Sequence, residues 1–190
     1  WFIDFLECGV CKMNVILEKY MDNEPTKEMI EFYAKRTKEH INRVRRNIEY
    51  ALAKLDLTKQ QKEKLKERVL FHDSSKFSSE ELVPYVWMTW YYKLKREGKE
   101  FTYPTGMEAK VTKAVEHHYK TNRHHPQYFN NVTAKMSFVD LIEMVCDHAA
   151  MSQELGDSLI DFEKNVTFKK FEWSEIDKDF ILRVASLFHK

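Results

Sequence analysis

The sequence has few of the residues that interrupt helices or cross-link small folds: among 190 residues there are 4 Gly, 4 Pro and 3 Cys. So little Gly and Pro argues against a disordered or turn-rich β protein. Three cysteines cannot form the disulfide framework of a small secreted domain, which favours a reducing compartment. We therefore expect a compact, helix-rich, cytoplasmic protein.

The sequence also has no large excess of positive or negative charge and no long apolar run. The 31 basic and 30 acidic side chains nearly cancel, which argues against a general partner of nucleic acids or membrane surfaces. No uninterrupted apolar run is long enough to cross a bilayer. Small-molecule chemistry in a local pocket remains open, and a homo-oligomer is compatible with the composition.

The chain contains 43% hydrophobic residues, placed mostly at helical spacing. We predict an all-α bundle of about seven helices, with an N-terminal helix over residues 1–24 that packs on a main domain of residues 25–190. A Cys8-x-x-Cys11 motif in the first helix is interpreted as unpaired thiols, with a redox pair or half a zinc site as alternatives. The predicted helices of the main domain run from Pro25 and Thr26 to about Leu55, from Thr58 to His72-Asp73, from Ser78 or Ser79 to near Gly98, from Met107 to Lys120, from Met136 to Ser152, from Asp157 to Asn165 and from Ser174 to Phe188.

A histidine directly followed by an aspartate, His72-Asp73, stands between two predicted helices. Neutral imidazole and ionised carboxylate together suit Mn, Fe, Co, Ni or Zn, whereas an all-oxygen shell would suit Mg or Ca. The pair is therefore a candidate for part of a metal site that distant residues complete.

Two distant residues fit that role. His40 lies along the apolar side of its predicted helix, where the alternative is a hydrogen-bonded core histidine. Asp147 lies on an acidic face beside the apolar stripe of another helix, where a solvated carboxylate is the alternative.

Four of the eight histidines fall within nine residues, between His117 and His125. Helical spacing places His118 on the inward face of its helix and His117 more to the side. His124 and His125 follow in a short loop. The cluster is compatible with metal or substrate binding by one or two of them, and surface or structural roles are the equal alternative.

Taken together, these residues resemble the HD superfamily, named after its adjacent His-Asp pair, whose members are mostly all-helical, metal-dependent phosphohydrolases. The similarity extends from about Thr26 to the end and is closest to an uncharacterised HD-like family of phage and bacterial proteins. It implies an HD-domain-like bundle in which four residues bind the metal. The segments that carry it are His40-Ile41-Asn42-Arg43-Val44, His72-Asp73-Ser74-Ser75-Lys76-Phe77-Ser78, Asn122-Arg123-His124-His125-Pro126-Gln127-Tyr128 and Glu143-Met144-Val145-Cys146-Asp147, and the implied ligands are His40, His72, Asp73 and Asp147.

The sequence departs from the better-known branches of that superfamily. Lys76 in His-Asp-x-x-Lys resembles the cyclic-dinucleotide phosphodiesterases, but their Gly-Tyr-Pro signature is absent. Nucleoside monophosphatases carry further acidic residues after the pair, where this chain offers only Glu80 and Glu81. The resemblance still allows a second metal, held by His118 with His124 or His125 and bridged by Asp73.

The resulting hypothesis is a phosphohydrolase that uses one or two divalent transition metal ions on a nucleotide or other small phosphate ester. The metal would activate water and neutralise phosphate charge. Lys76, His118 and Glu143 are the expected catalytic residues, the latter two by moving protons or orienting ligands. Phosphate oxygens would be held by Lys76, Arg43 and Arg123, with surface ion pairs as the alternative for each.

Two other classes remain open. The same scaffold with six ligands could hold two irons and catalyse an oxygen-dependent oxidation, as some HD-fold oxygenases do. It could also be a non-catalytic module that keeps the metal for structure or for sensing a nucleotide.

Overall fold

A computed structural model describes residues 24–188, and the predicted N-terminal helix and Cys8-x-x-Cys11 lie outside this part apart from Glu24. The described residues are helical and contain no strand, which confirms the predicted all-α fold of about seven helices. No helix within 24–188 is both long and apolar enough to cross a membrane. The helices are α1 (Lys27–Lys54), α2 (Lys59–Val69), α3 (Leu82–Arg96), α4 (Met107–Thr121), α5 (Phe138–Leu155), α6 and α7 (Glu175–Ala185). The segment α6 consists of an α-helical turn (Leu159–Phe162), a π-helix (Glu163–Thr167) and a last α-helical turn (Phe168–Lys170).

Helix α2 begins as predicted and ends earlier. Thr58 and Gln61 form the predicted capping box: the Thr58 side chain accepts from the Gln61 N–H, and the Gln61 side chain accepts from the Thr58 N–H. The helix ends at Val69 rather than at His72-Asp73, because the Leu70 N–H turns to the Glu67 carbonyl and the chain leaves helical geometry.

The predicted start of α3 at Ser78 or Ser79 is wrong. Residues Ser74–Phe77 form a 3₁₀ helix, the Ser78 carbonyl then accepts from the N–H groups of Glu81 and Leu82 in a turn, and α3 begins at Leu82. Glu81 is thereby placed at the entry of the helix with its side chain fully buried. Because α3 begins later than predicted, Glu81 is buried at its start, which its position in the sequence does not suggest.

The chain divides into two compact units, which we call unit 1 and unit 2. Within the described residues, unit 1 comprises 24–39 and 73–121, and unit 2 comprises 40–72 and 122–188. Unit 1 contains the start of α1, the 3₁₀ helix, α3 and α4. Its apolar core consists of Met29, Tyr33, Leu82, Tyr85, Val86 and Ala114.

Unit 2 has the larger core, built by the end of α1 with α2, α5 and the C-terminal helices. Its buried members recur at helical spacing, as for Val44, Ile48 and Ala51 on α1. On α5 the core face includes Leu141, Val145 and Ala149, among others. This packing fixes the helices on which the candidate site of unit 2 is built.

Candidate metal centre

Three of the predicted ligands converge inside unit 2. The Nε2 atom of His40 lies 2.9 Å from Oδ1 of Asp147, and Nε2 of His72 lies 3.5 Å from the same oxygen. Two ligands bound about 2.1 Å from one ion at angles of 90–109° are about 3.0–3.4 Å apart. The side chains are 3% exposed for His40, 0% for His72 and 14% for Asp147. Asp147 is therefore not the solvated carboxylate that its position on an acidic face also allowed.

Glu143 fixes the orientation of His72. Its Oε1 accepts a hydrogen bond from Nδ1–H of His72 at 2.9 Å, and Nδ1 of His124 lies 3.3 Å from the same oxygen. An ionised carboxylate only accepts, so Nδ1 of His72 must carry the proton. The arrangement supports the ligand-orienting role predicted for Glu143, since metal-binding histidines commonly donate their other N–H to such a group.

The chemistry of these donors fits a cation. A neutral His72 protonated at Nδ1 presents the lone pair of Nε2 to the carboxylate of Asp147. Two acceptors that face each other repel unless a proton or a metal ion lies between them. With His40 directed at the same oxygen, the buried group could hold a metal ion, and its ligand atoms lie within 4.8 Å of one another.

Electrostatics keep both carboxylates ionised. Burial opposes ionisation of Asp147, but the neighbouring imidazoles of His40 and His72 outweigh this effect and hold the pKa of Asp147 well below its usual range. Burial likewise opposes ionisation of Glu143, whereas His124 and His72 lower its pKa by a larger amount. Burial and the neighbouring His72 lower the pKa of His124, which favours neutral imidazole.

A buried arginine that the sequence did not single out supports this cluster. Arg68 forms close ion pairs with both Asp140 and Glu143, and its side chain is only 15% exposed. The charge-rich run of α2 from Lys59 to Arg68 is typical of a solvated face, and Arg68 departs from this pattern.

The acidic face of α5 is also buried rather than solvated: Asp140 is 0% exposed and Glu143 3%. Asp140 caps α5 through the backbone N–H of Ser137 at 2.7 Å, in a second capping box. Burial opposes its ionisation, but the bonds with Ser137, Arg68 and Arg123 lower its pKa. The face is buried because each carboxylate has a charged or hydrogen-bonding partner.

The two arginines predicted to hold phosphate are engaged by carboxylates in unit 2. Arg43 pairs with Glu154 at 3.1 Å, from Nη1 to Oε2. Arg123 directs Nε and Nη2 at the two oxygens of Asp140, at 3.2 and 3.4 Å, and its guanidinium stacks over Tyr128. These contacts match the ion-pair alternative, and the phosphate role remains a prediction.

In unit 1, Asp73 is fully buried and pairs closely with Lys76. The backbone φ of Asp73 is 57°, in the left-handed region. Such a conformation costs on the order of 1–3 kcal/mol for a residue other than glycine and tends to persist at functional sites. The predicted ligand Asp73 and the predicted catalytic residue Lys76 are therefore in direct contact.

The inward-facing position of His118 is confirmed, and Glu81 holds it there. Glu81 accepts from Nδ1 of His117 at 2.7 Å and from Nδ1 of His118 at 3.0 Å, and Ser75 Oγ lies 3.2 Å from the same Nδ1 of His118. Nε2 of His118 lies 3.4 Å from Oδ1 of Asp73. The side chain of His117 is 35% exposed, as its sideways placement predicted.

Among the described residues, His124, His125 and His148 also lie in unit 2. The rings of His124 and His125 have centroids 4.2 Å apart, and those of His72 and His124 are 4.5 Å apart. Nδ1 of His148 lies 2.9 Å from Oε1 of the buried Glu163, at the start of the π-helix. With His72 and Glu143, His124 forms a second buried group that could hold a metal ion. Neither His148 nor Glu163 was predicted to have a role.

Comparison with known proteins matches residues 29–189 to a family of unknown function, DUF5662. No curated protein matches the chain. No solved structure matches it either. The family match covers most of the sequence and includes every predicted site residue.

Proposed function

We propose a function for this chain, which belongs to the DUF5662 family of unknown function: it is a metal-dependent phosphohydrolase of the HD type that acts on a nucleotide or other small phosphate ester. The observation that carries the proposal is the convergence of two histidine Nε2 atoms on one buried aspartate oxygen, at 2.9 and 3.5 Å. Those histidines, His40 and His72, and that aspartate, Asp147, are the residues that match the HD ligands in order.

Asp73 is the proposed fourth ligand. It follows His72 by one peptide bond, so the two Cα atoms are about 3.8 Å apart whatever the surroundings. Its buried carboxylate and left-handed backbone indicate a position retained at an energetic cost. Two histidines and two carboxylates suit Mn, Fe, Co, Ni or Zn.

A divalent ion bound there would lower the pKa of a coordinated water and neutralise charge on phosphate oxygens. Glu143 would keep His72 in the tautomer that binds the ion through Nε2. Lys76, already beside Asp73, would compensate negative charge on the phosphoryl group. His118, whose Nε2 faces Asp73, would take the proton from the attacking water or return one to the leaving oxygen.

The test is release of inorganic phosphate from a panel of nucleoside monophosphates, sugar phosphates and an aryl phosphate, with Mn, Fe, Co, Ni or Zn added separately to metal-free protein. We expect turnover with at least one metal and its loss in Asp73→Asn. The matched control is Asp157→Asn, which makes the same change at an exposed position of unit 2.

No phosphate release with any metal would contradict the proposal. Oxygen consumption by iron-loaded protein without phosphatase activity would favour the di-iron oxygenase. Tight nucleotide binding without turnover would favour the non-catalytic module.

A further inference from the structure

We propose that Glu81 is a positioning residue for the phosphohydrolase reaction: it binds the Nδ1 atoms of His117 and His118 and thereby fixes which nitrogen each ring presents to the reacting groups. The inference rests on the proposed function for its catalytic consequence. The arrangement of the three side chains is independent of that function.

The contacts leave Glu81 little freedom. Its side chain is 0% exposed, and its two oxygens are used separately, Oε1 by His117 at 2.7 Å and Oε2 by His118 at 3.0 Å. A buried carboxylate costs free energy unless it is paired, so the histidine bonds are what allow it to be buried there. One acidic residue therefore holds two consecutive imidazoles.

The consequence for each ring follows from the valence of imidazole. A ring that donates Nδ1–H to a carboxylate has Nε2 as its remaining functional atom. For His118 that atom faces Asp73 at 3.4 Å. The His117 side chain is 35% exposed, so a substrate can reach its ring.

Replacement of Glu81 by glutamine should change the proton position on at least one of the two histidine rings. An amide has one accepting oxygen and one donating nitrogen, so it can accept from only one of the two Nδ1–H groups. The other ring must shift its proton to Nε2 or lose its partner. Loss of such an orienting group typically lowers activity or metal affinity by about 10- to 100-fold.

The experiment records the protonation of both rings by long-range ¹H–¹⁵N NMR, in metal-free and zinc-loaded protein, together with kcat and KM. In wild type we expect a proton on Nδ1 of His117 and of His118. In Glu81→Gln we expect at least one ring to change and kcat to fall about 10- to 100-fold with a smaller change in KM.

Two variants are matched controls for the NMR readout. Glu80→Gln makes the same change at the exposed neighbouring residue, whose carboxylate accepts from Ser79. Glu163→Gln removes another fully buried, histidine-bound carboxylate, the one that contacts His148. Both should leave His117 and His118 in their wild-type tautomers.

Absence of the Nδ1 proton from either ring in wild type would overturn the proposal, and this result does not depend on whether the variant folds. Unchanged tautomers in folded Glu81→Gln would overturn it as well. If the phosphatase screen finds no activity but the tautomers behave as expected, the proposed function fails and the positioning role of Glu81 stands.

Discussion

The two units contain histidine clusters of the same design. In unit 2 the buried Glu143 contacts Nδ1 of His72 and His124, and Nε2 of His72 faces Asp147 at 3.5 Å. In unit 1 the buried Glu81 contacts Nδ1 of two histidines, one of which directs Nε2 at an aspartate 3.4 Å away. Each cluster thus places a glutamate, a histidine and an aspartate in one series of close contacts.

The surroundings of the two clusters differ. In unit 2 a second imidazole, that of His40, reaches the aspartate oxygen, and Arg68 neutralises the supporting carboxylates. In unit 1 the aspartate is paired with the flexible cation of Lys76, and one histidine, His117, is partly exposed. We infer that the first cluster is organised to retain an ion and the second to handle phosphate charge and protons.

The largest effect is expected from His72→Ala, compared with His118→Ala. Loss of His72 removes a proposed metal ligand, so activity should fall by more than the roughly 100-fold that loss of an orienting group costs, and the metal should be lost with it. His118→Ala should impair turnover while retaining the metal of unit 2. Equal metal loss in both variants, measured by elemental analysis, would contradict the proposal that the unit 2 cluster retains the ion and the unit 1 cluster does not.

The next effect concerns stability. Arg68→Ala leaves the buried Asp140 and Glu143 without their shared cation, and breaking a buried pair in this way costs about 3–5 kcal/mol. Urea denaturation of the metal-free protein measures this change in the free energy of unfolding. Lys64→Ala, at an exposed position of the same helix, should change the free energy of unfolding by less than about 0.5 kcal/mol. A similar small change in Arg68→Ala would show that the arginine does not support the cluster.

The stability of the metal-free protein should also depend on pH in the acidic range. The pKa of Glu143 is lower in the folded chain than its ordinary value of 4.5, and that of Asp147 is lower than 3.8. The unfolded chain then binds more protons, so these carboxylates stabilise the fold above about pH 4.5, and this contribution is lost progressively as the pH falls. In Glu143→Gln the dependence below pH 4.5 should be shallower. An unchanged slope would contradict the low pKa of Glu143.

The smallest effect is expected from Arg123→Ala. Arg123 shares Asp140 with Arg68, but its side chain is 39% exposed, and exposed ion pairs contribute up to about 1 kcal/mol. We expect a loss of stability well below that of Arg68→Ala. A marked rise in KM with unchanged stability would instead support the phosphate role predicted for this residue.

The comparison also shows what the sequence could predict. Helical periodicity and capping residues such as Thr58 located most helices, because these signals are local. The buried position of His40 and the inward face of His118 were predicted because residue type and helical phase agree, whereas Asp147 was singled out by the resemblance to the HD ligands. The supporting residues Arg68, Glu81 and Glu163 were not, because a charged residue in a helical sequence is usually solvated and only tertiary contacts make its burial favourable.

Metal content per chain tests the central claim most directly. It should be measured by elemental analysis in protein purified without chelator or nickel-affinity resin, for wild type and for Asp147→Asn. The account predicts about one ion of Mn, Fe, Co, Ni or Zn in wild type, or two if the second site also fills, and loss of the unit 2 ion in the variant. Absence of metal from wild type after reconstitution, or full retention in Asp147→Asn, would contradict it.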